Sequence, residues 1–194
     1  GPDDGSAVHL GSPLIALNAS PSFTHFFFVD QDSANISALQ KRCEASPLAQ
    51  RVTCLTGDSN SLVRPIVDRI AEEDQVRIPG RYSSLNLAFL DPRGLDLQWR
   101  TVETLARLYT MDVIIHYPLM GMHRYADRAF KTEAPTKVDV FFGGPEWRAV
   151  YDECHAGPDL HTRLLSLYKN SLGKLGYQEI IEEQQAGYVP LIRN

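Results

Sequence analysis

The residues of this 194-residue chain whose type and spacing could do chemistry are carboxylates at the ends of apolar runs. Asp30 follows Phe26–Val29, Asp58 follows Val52–Leu55 across Gly57, and Asp91 closes Leu85–Leu90. In an open parallel sheet, ligands bind beyond the carboxyl ends of the strands. A carboxylate there can accept both hydroxyls of a ribose, and one after the next strand can reach an adenine amino group. Each aspartate alone also reads as a helix N-cap worth about 1 kcal/mol. For Asp58, followed by Ser59-Asn60-Ser61, the cap and ligand readings stand level. Asp30 is better placed for a ligand, because Asp32 and Ser33 are available to cap.

Asp91-Pro92-Arg93-Gly94-Leu95 is the most specific segment. Proline fixes φ and removes a donor directly after the carboxylate, and Gly94 permits a left-handed turn. Such a stiff turn presents Asp91 and the following carbonyls to the crevice, where they can orient a nucleophile. It is also ordinary β-turn chemistry. His116 follows an apolar run and can line the same crevice, although a hydrogen-bonded structural histidine is the commoner case. The six histidines form no ligand cluster by spacing, and no Walker loop, HExxH or GxSxG occurs. No metal is expected. Arg124, Arg128, Lys131 and Lys137 give His123–Lys137 a small basic excess that can guide a phosphate backbone or simply line a solvated loop. Trp99 and Trp147 can stack a base, with packing at helix starts as the plainer role.

Alternating strands and helices must position these groups. Phe26–Val29, Val52–Leu55, Leu85–Leu90 and Val113–Ile115 are strand-like. Helical stripes run through Ile36, Leu39 and Cys43, then Leu62, Val63, Ile66, Val67 and Ile70, then Val102, Leu105, Ala106 and Tyr109. Two further helices are expected over Pro145–Ala156 and Asp159–Leu175, and irregular chain over Gly121–Gly144. Strands apolar on both faces with helices between them predict an open, mostly parallel α/β sheet in one domain, with helices on both faces. Gly187–Asn194 reads as a turn leading into a strand that does not follow.

Composition narrows the class. At 43% hydrophobic and 22% charged residues, a disordered chain, a collagen-like repeat and a disulfide miniprotein are excluded. No apolar run reaches the roughly 18 residues of a membrane span. Cys43, Cys54 and Cys154, with no CxxC pair, predict buried reduced thiols in a cytoplasmic protein. A net charge of −5 argues against indiscriminate nucleic-acid binding.

Gly11-Ser12-Pro13-Leu14-Ile15-Ala16-Leu17, then Phe28-Val29-Asp30, then Leu90-Asp91-Pro92-Arg93-Gly94-Leu95 with Trp99, and later Met122-His123-Arg124, together resemble the three-Cys-motif partner (TcmP) family over most of the chain. The resemblance implies a Rossmann-like, class I methyltransferase-type domain that binds S-adenosylmethionine. Asp30 would hold the ribose, Asp58 would lie by the adenine, and Asp91-Pro92 would face the methyl group and its acceptor. The three-Cys motif itself belongs to the partner protein. A first strand and glycine turn would precede Gly11, of which Gly1-Pro2 is the most that stands here, and two closing strands would follow. Neither end is found by this reading, so both termini are expected to be incomplete. The Asp-Pro-x-Gly turn is also similar to one in tRNA guanine-N2 dimethyltransferases, which makes a nucleobase nitrogen a candidate acceptor.

Two functions are therefore expected. One is an S-adenosylmethionine-dependent methyltransferase with Asp91 and Pro92 at the reacting centre, Asp30 and Asp58 on the cofactor, and Arg93, Arg124 and Trp99 on the substrate. The other is a non-catalytic Rossmann-like binding subunit that works with a partner protein; under either reading the expected partners are a nucleic acid or a partner protein.

Overall fold

The computed structural model describes residues 11–77, 84–108, 110–154, 157–180 and 188–192. It is a mixed α/β structure that divides into two compact units, residues 1–62 and 63–194. The expected roles of Gly1-Pro2, Tyr109 and His155-Ala156 lie outside the described residues.

In the first unit, α1 (Ser12–Leu17) precedes β1 (Phe26–Asp30), α2 (Ser33–Glu44), a 3-10 turn and β2 (Val52–Thr56). β1 and β2 pair in parallel with Phe28 opposite Cys54 and Asp30 opposite Thr56. Leu17, Phe26 and Cys43 are buried together, and Leu39 and Phe28 pack against them. The helical stripe read from Ile36, Leu39 and Cys43 is thus the inward face of α2. Burial pushes the Cys43 and Cys54 thiols up, which makes both weak nucleophiles. Cys43 is buried as expected, whereas Cys54 and Cys154 are only partly so.

α3 (Ser59–Arg77) leads into the second unit. There follow β3 (Asn86–Leu90), α4 (Trp99–Leu105), β4 (Met111–His116), α5 (Leu119–Phe130), α6 (Lys137–Phe142), α7 (Trp147–Cys154), α8 (Leu160–Lys174), β5 (Glu179–Ile180) and β6 (Tyr188–Ile192). The sheet order is β3-β4-β6-β5, with β3 and β4 parallel and β6 antiparallel to both its neighbours. β4 alternates strictly, so Met111, Val113 and Ile115 face the core and Tyr117 continues the series. Tyr117, Phe141, Tyr168 and Trp99 form an aromatic cluster with ring centroids 5.0–5.6 Å apart. The Tyr117 and Tyr168 hydroxyls are buried without a hydrogen-bond partner, and burial pushes both phenols well up, so both stay neutral.

Two expectations are corrected. Gly121–Gly144 is not irregular, because it holds most of α5 and all of α6. Met122, Ala126 and Ala129 recur at helical spacing and are buried, a stripe of small and flexible residues masked by the charges between them. Nor does the chain end without a further strand, since Tyr188–Ile192 is β6. Pro190 interrupts the strand pattern, yet it lies beyond the two residues of β5. Among the described residues β6 is paired there on one side only, the setting that accommodates a residue with no N–H.

Candidate functional site

At the end of β1, capping and ligand-type acids are separated as the spacing suggested. Asp32 is the N-cap of α2, accepting from the Ala34 N–H at 2.8 Å. Asp30 is left outside the cap. Its Oδ1 accepts from the Asp32 N–H at 2.8 Å and its Oδ2 from Asn35 Nδ2 at 3.1 Å. Each carboxylate oxygen has capacity for a second donor.

Asp58 behaves differently. Its carbonyl accepts from the N–H groups of Ser61 and Leu62. Its carboxylate accepts from the Asn60 N–H and amide and from the Ser61 hydroxyl. This is N-cap geometry at the start of α3, so the cap reading is the one the structure displays. Gly57 before it has φ +151 and donates to the Asp30 carbonyl at 2.9 Å.

The second unit holds a pair that sequence reading considered only as separate residues. Leu90 is in register with Ile115, so Asp91 and His116 leave β3 and β4 side by side. They also share a face. Asp91 continues the exposed alternation of Leu87 and Phe89, and His116 is out of phase with buried Ile115 and Tyr117. His116 Nδ1 lies 2.7 Å from Asp91 Oδ1, with the two side chains 42% and 54% exposed. A carboxylate oxygen at that distance accepts the hydrogen bond when Nδ1 of the ring carries a proton.

Three contacts hold this corner. Gly94 adopts φ +61, the left-handed turn expected of it, and Arg93 accepts from the Asp96 N–H at 3.3 Å. Tyr125 of α5 packs its hydroxyl against Gly94 so closely that an added Cβ would come within 2.8 Å. Lys137 of α6 donates to Asp96 Oδ1 at 2.9 Å, and that bond holds its ammonium above the usual lysine range.

The remaining expected residues are placed as follows. Pro92 is partly buried directly behind Asp91, and Arg93 is exposed. Arg124 is exposed on α5 with its guanidinium 5.9 Å from the Tyr125 ring. Trp99 is only 8% exposed, edge-on to Tyr168 and so close to Gly143 that a Cβ there would strike its ring. It borders an open cavity of ≈ 390 Å³ with Val140 and Pro145. Its faces are taken up in the core, so Trp99 is a packing residue first.

Sequence reading missed Asp139, although Thr136-x-x-Asp139 before an apolar run spells a capping box. Asp139 is buried and accepts from Thr136, from Trp147 Nε1 at 2.8 Å, and from Arg148 Nε and Nη2 at 3.1 Å each. Burial pushes its carboxyl up, but the Arg148, Thr136 and Trp147 hydrogen bonds outweigh it and hold the group well below the usual carboxylate range.

Among the described residues no cluster of three His, Cys, Asp or Glu could hold a metal ion, and no helix is long and apolar enough to cross a membrane. No family model, no curated protein and no solved structure matches the chain.

Proposed function

We propose that the protein is a cytoplasmic S-adenosylmethionine-dependent methyltransferase of the three-Cys-motif partner type, with a Rossmann-like fold and a nucleobase nitrogen among its candidate acceptors. The observation that carries this reading is Asp30. It stands at the carboxyl end of a parallel strand, oriented by two donors of its own loop and relieved of capping by Asp32. That is the arrangement a ribose diol needs, because both carboxylate oxygens keep lone pairs after their internal hydrogen bonds. The two strands after α8, one of them reversed between β4 and β5, also support the reading, since the resemblance calls for closing strands.

The donor set fits the cofactor in part. Asp30 would hold the ribose, and Asn35 beside it adds an amide. Asp58 is engaged in capping α3, so its share in adenine binding is the weaker element. When bound, S-adenosylmethionine supplies an electrophilic methyl group on a sulfonium. Within the second unit, Asp91 and Pro92 shape the turn that faces the acceptor, with exposed Arg93 and Arg124 available to a phosphate backbone. Catalysis would come mainly from alignment and from exclusion of water.

The test is a calorimetric titration of S-adenosylmethionine and S-adenosylhomocysteine into wild type and Asp30→Ala. Micromolar binding to wild type, weakened at least ten-fold in the variant, is expected. Two hydrogen bonds to a charged acceptor account for a loss of about that size or more. No heat and no thermal shift with either ligand, from a folded protein, overturns the reading and leaves the non-catalytic binding subunit.

A further inference from the structure

We infer that Cys43 and Cys54 form a redox-active pair that a hydroperoxide closes to a disulfide, clasping α2 to β2. The pair lies wholly within the first unit and stands whether or not the protein transfers methyl groups.

Helix spacing and strand register bring the two thiols together. Cys43 follows Leu39 on the inward face of α2 and is 3% exposed, packed with Leu17 and Phe26. In β2, Cys54 is two residues beyond Val52 and in register with Phe28, so it shares their face of the strand pair. Val52 and Phe28 pack against the Cys43 cluster, which makes that face the one α2 covers. There the two side chains meet in a thiol–thiol hydrogen bond. Packing alone asks nothing of this kind. A buried cysteine is a small apolar residue, and a second thiol in contact with it adds a chemistry that alanine or valine would not.

The two positions differ in access, since Cys54 is partly exposed and Cys43 is buried. The Cys54 thiolate attacks one oxygen of the hydroperoxide. A sulfur–oxygen bond forms, the O–O bond breaks, and its electron pair leaves on an alkoxide or hydroxide that takes up a proton. Cys54 is then a sulfenic acid. The Cys43 thiolate attacks that sulfur, the S–S bond forms, and hydroxide departs to be protonated to water. Two thiols have given two electrons and two protons, and the hydroperoxide has become an alcohol or water plus water. Burial pushes both thiols up, so little thiolate is present near neutrality and the first step is slow. The second step has its partner already in contact and outruns further oxidation. Slow entry and fast closure make a pair that is reduced at rest and closes under sustained oxidant. Asp32, the cap of α2, and Asn35 within it donate to the Asp30 carboxylate, so the closed bond pins the helix that orients that group.

The whole, folded protein is treated with hydrogen peroxide, raised until Cys154 is consumed, and unreduced digests are mapped by mass spectrometry. One cross-linked peptide pair, Cys43 to Cys54, is expected, and dithiothreitol should release it. The same oxidation in urea should spread the cross-links to Cys154. Cys43→Ser removes the resolving thiol, so dimedone should label Cys54 about ten-fold more than in wild type. The oxidised protein should melt several degrees above the reduced one, because the bond restricts the unfolded chain, and Cys54→Ser should lack that difference. Cys43 and Cys54 left as thiols or carried to sulfinic acids, a native cross-link that includes Cys154, or an oxidised form that melts no higher overturns the inference.

Discussion

Two carboxylates of the second unit, Asp139 and Asp91, show what the same functional group becomes in different surroundings. Asp139 sits at the first turn of α6 with both oxygens taken up by Thr136, Trp147 and Arg148. Asp91 sits at the mouth of a parallel strand pair, half exposed, facing one histidine. The first has no acceptor capacity left for a ligand and the second has spent little of its own. A saturated, buried carboxylate ties α6 to α7. An under-used one beside an ionisable ring is where chemistry can occur. The displaced carboxyl of Asp139 thus marks a structural acid.

Breaking the Asp139 side of this contrast should produce the largest effect. Asp139→Asn leaves the Arg148 guanidinium, 21% exposed, without its counter-charge. The expected loss is about 3 kcal/mol, the lower end for a broken buried pair because Arg148 keeps some water. Urea denaturation at pH 7 measures it. A loss under about 1 kcal/mol would place Asp139 among ordinary surface pairs and dissolve the contrast.

The pH dependence sharpens the same point. The Asp139 carboxyl is held below its ordinary value in the folded state. Its contribution is therefore complete above the unfolded carboxylate value of about 3.9 and is lost as pH falls from there toward the folded value. Asp139→Asn cannot titrate, so the stability gap between wild type and variant should narrow between pH 7 and pH 3. A gap that stays constant would mean the packing of Arg148 and Trp147, not the charge, carries the interaction.

How much of this could be read beforehand depends on the range over which each signal acts. The stripe of α2, the parallel direction of β3 and β4 and the capping role of Asp32 are local or strictly periodic, and all are legible in the residues. α5 was not, because Met122, Ala126 and Ala129 carry its buried face among charged neighbours. β6 was not, because Pro190 disguises it. At the site, the acids themselves stood out, but their fates did not. Whether Asp58 caps or binds depends on where Asn60 and Ser61 turn their donors. The Asp91–His116 pair needs the register of β3 on β4, a property of two strands 25 residues apart. Both residues end apolar runs, but no local signal says that these two runs are neighbours in the sheet.

The smallest expected effect is on the Asp91 side, and it is the one that separates a site from a scaffold. The pair is near half exposed, and exposed ion pairs contribute about 0–1 kcal/mol because water competes for both partners. Asn at position 91 can still accept from Nδ1–H through its carbonyl oxygen. Asp91→Asn should therefore shift the urea midpoint by less than about 0.5 kcal/mol, within the range of ordinary surface substitutions. Asp91→Asn and Asp139→Asn would then differ by several-fold in stability. A large loss of stability in Asp91→Asn would show instead that the turn from Asp91 to Asp96 depends on this hydrogen bond, making His116 a fastener of β3 to β4 as Arg148 is of α7 to α6.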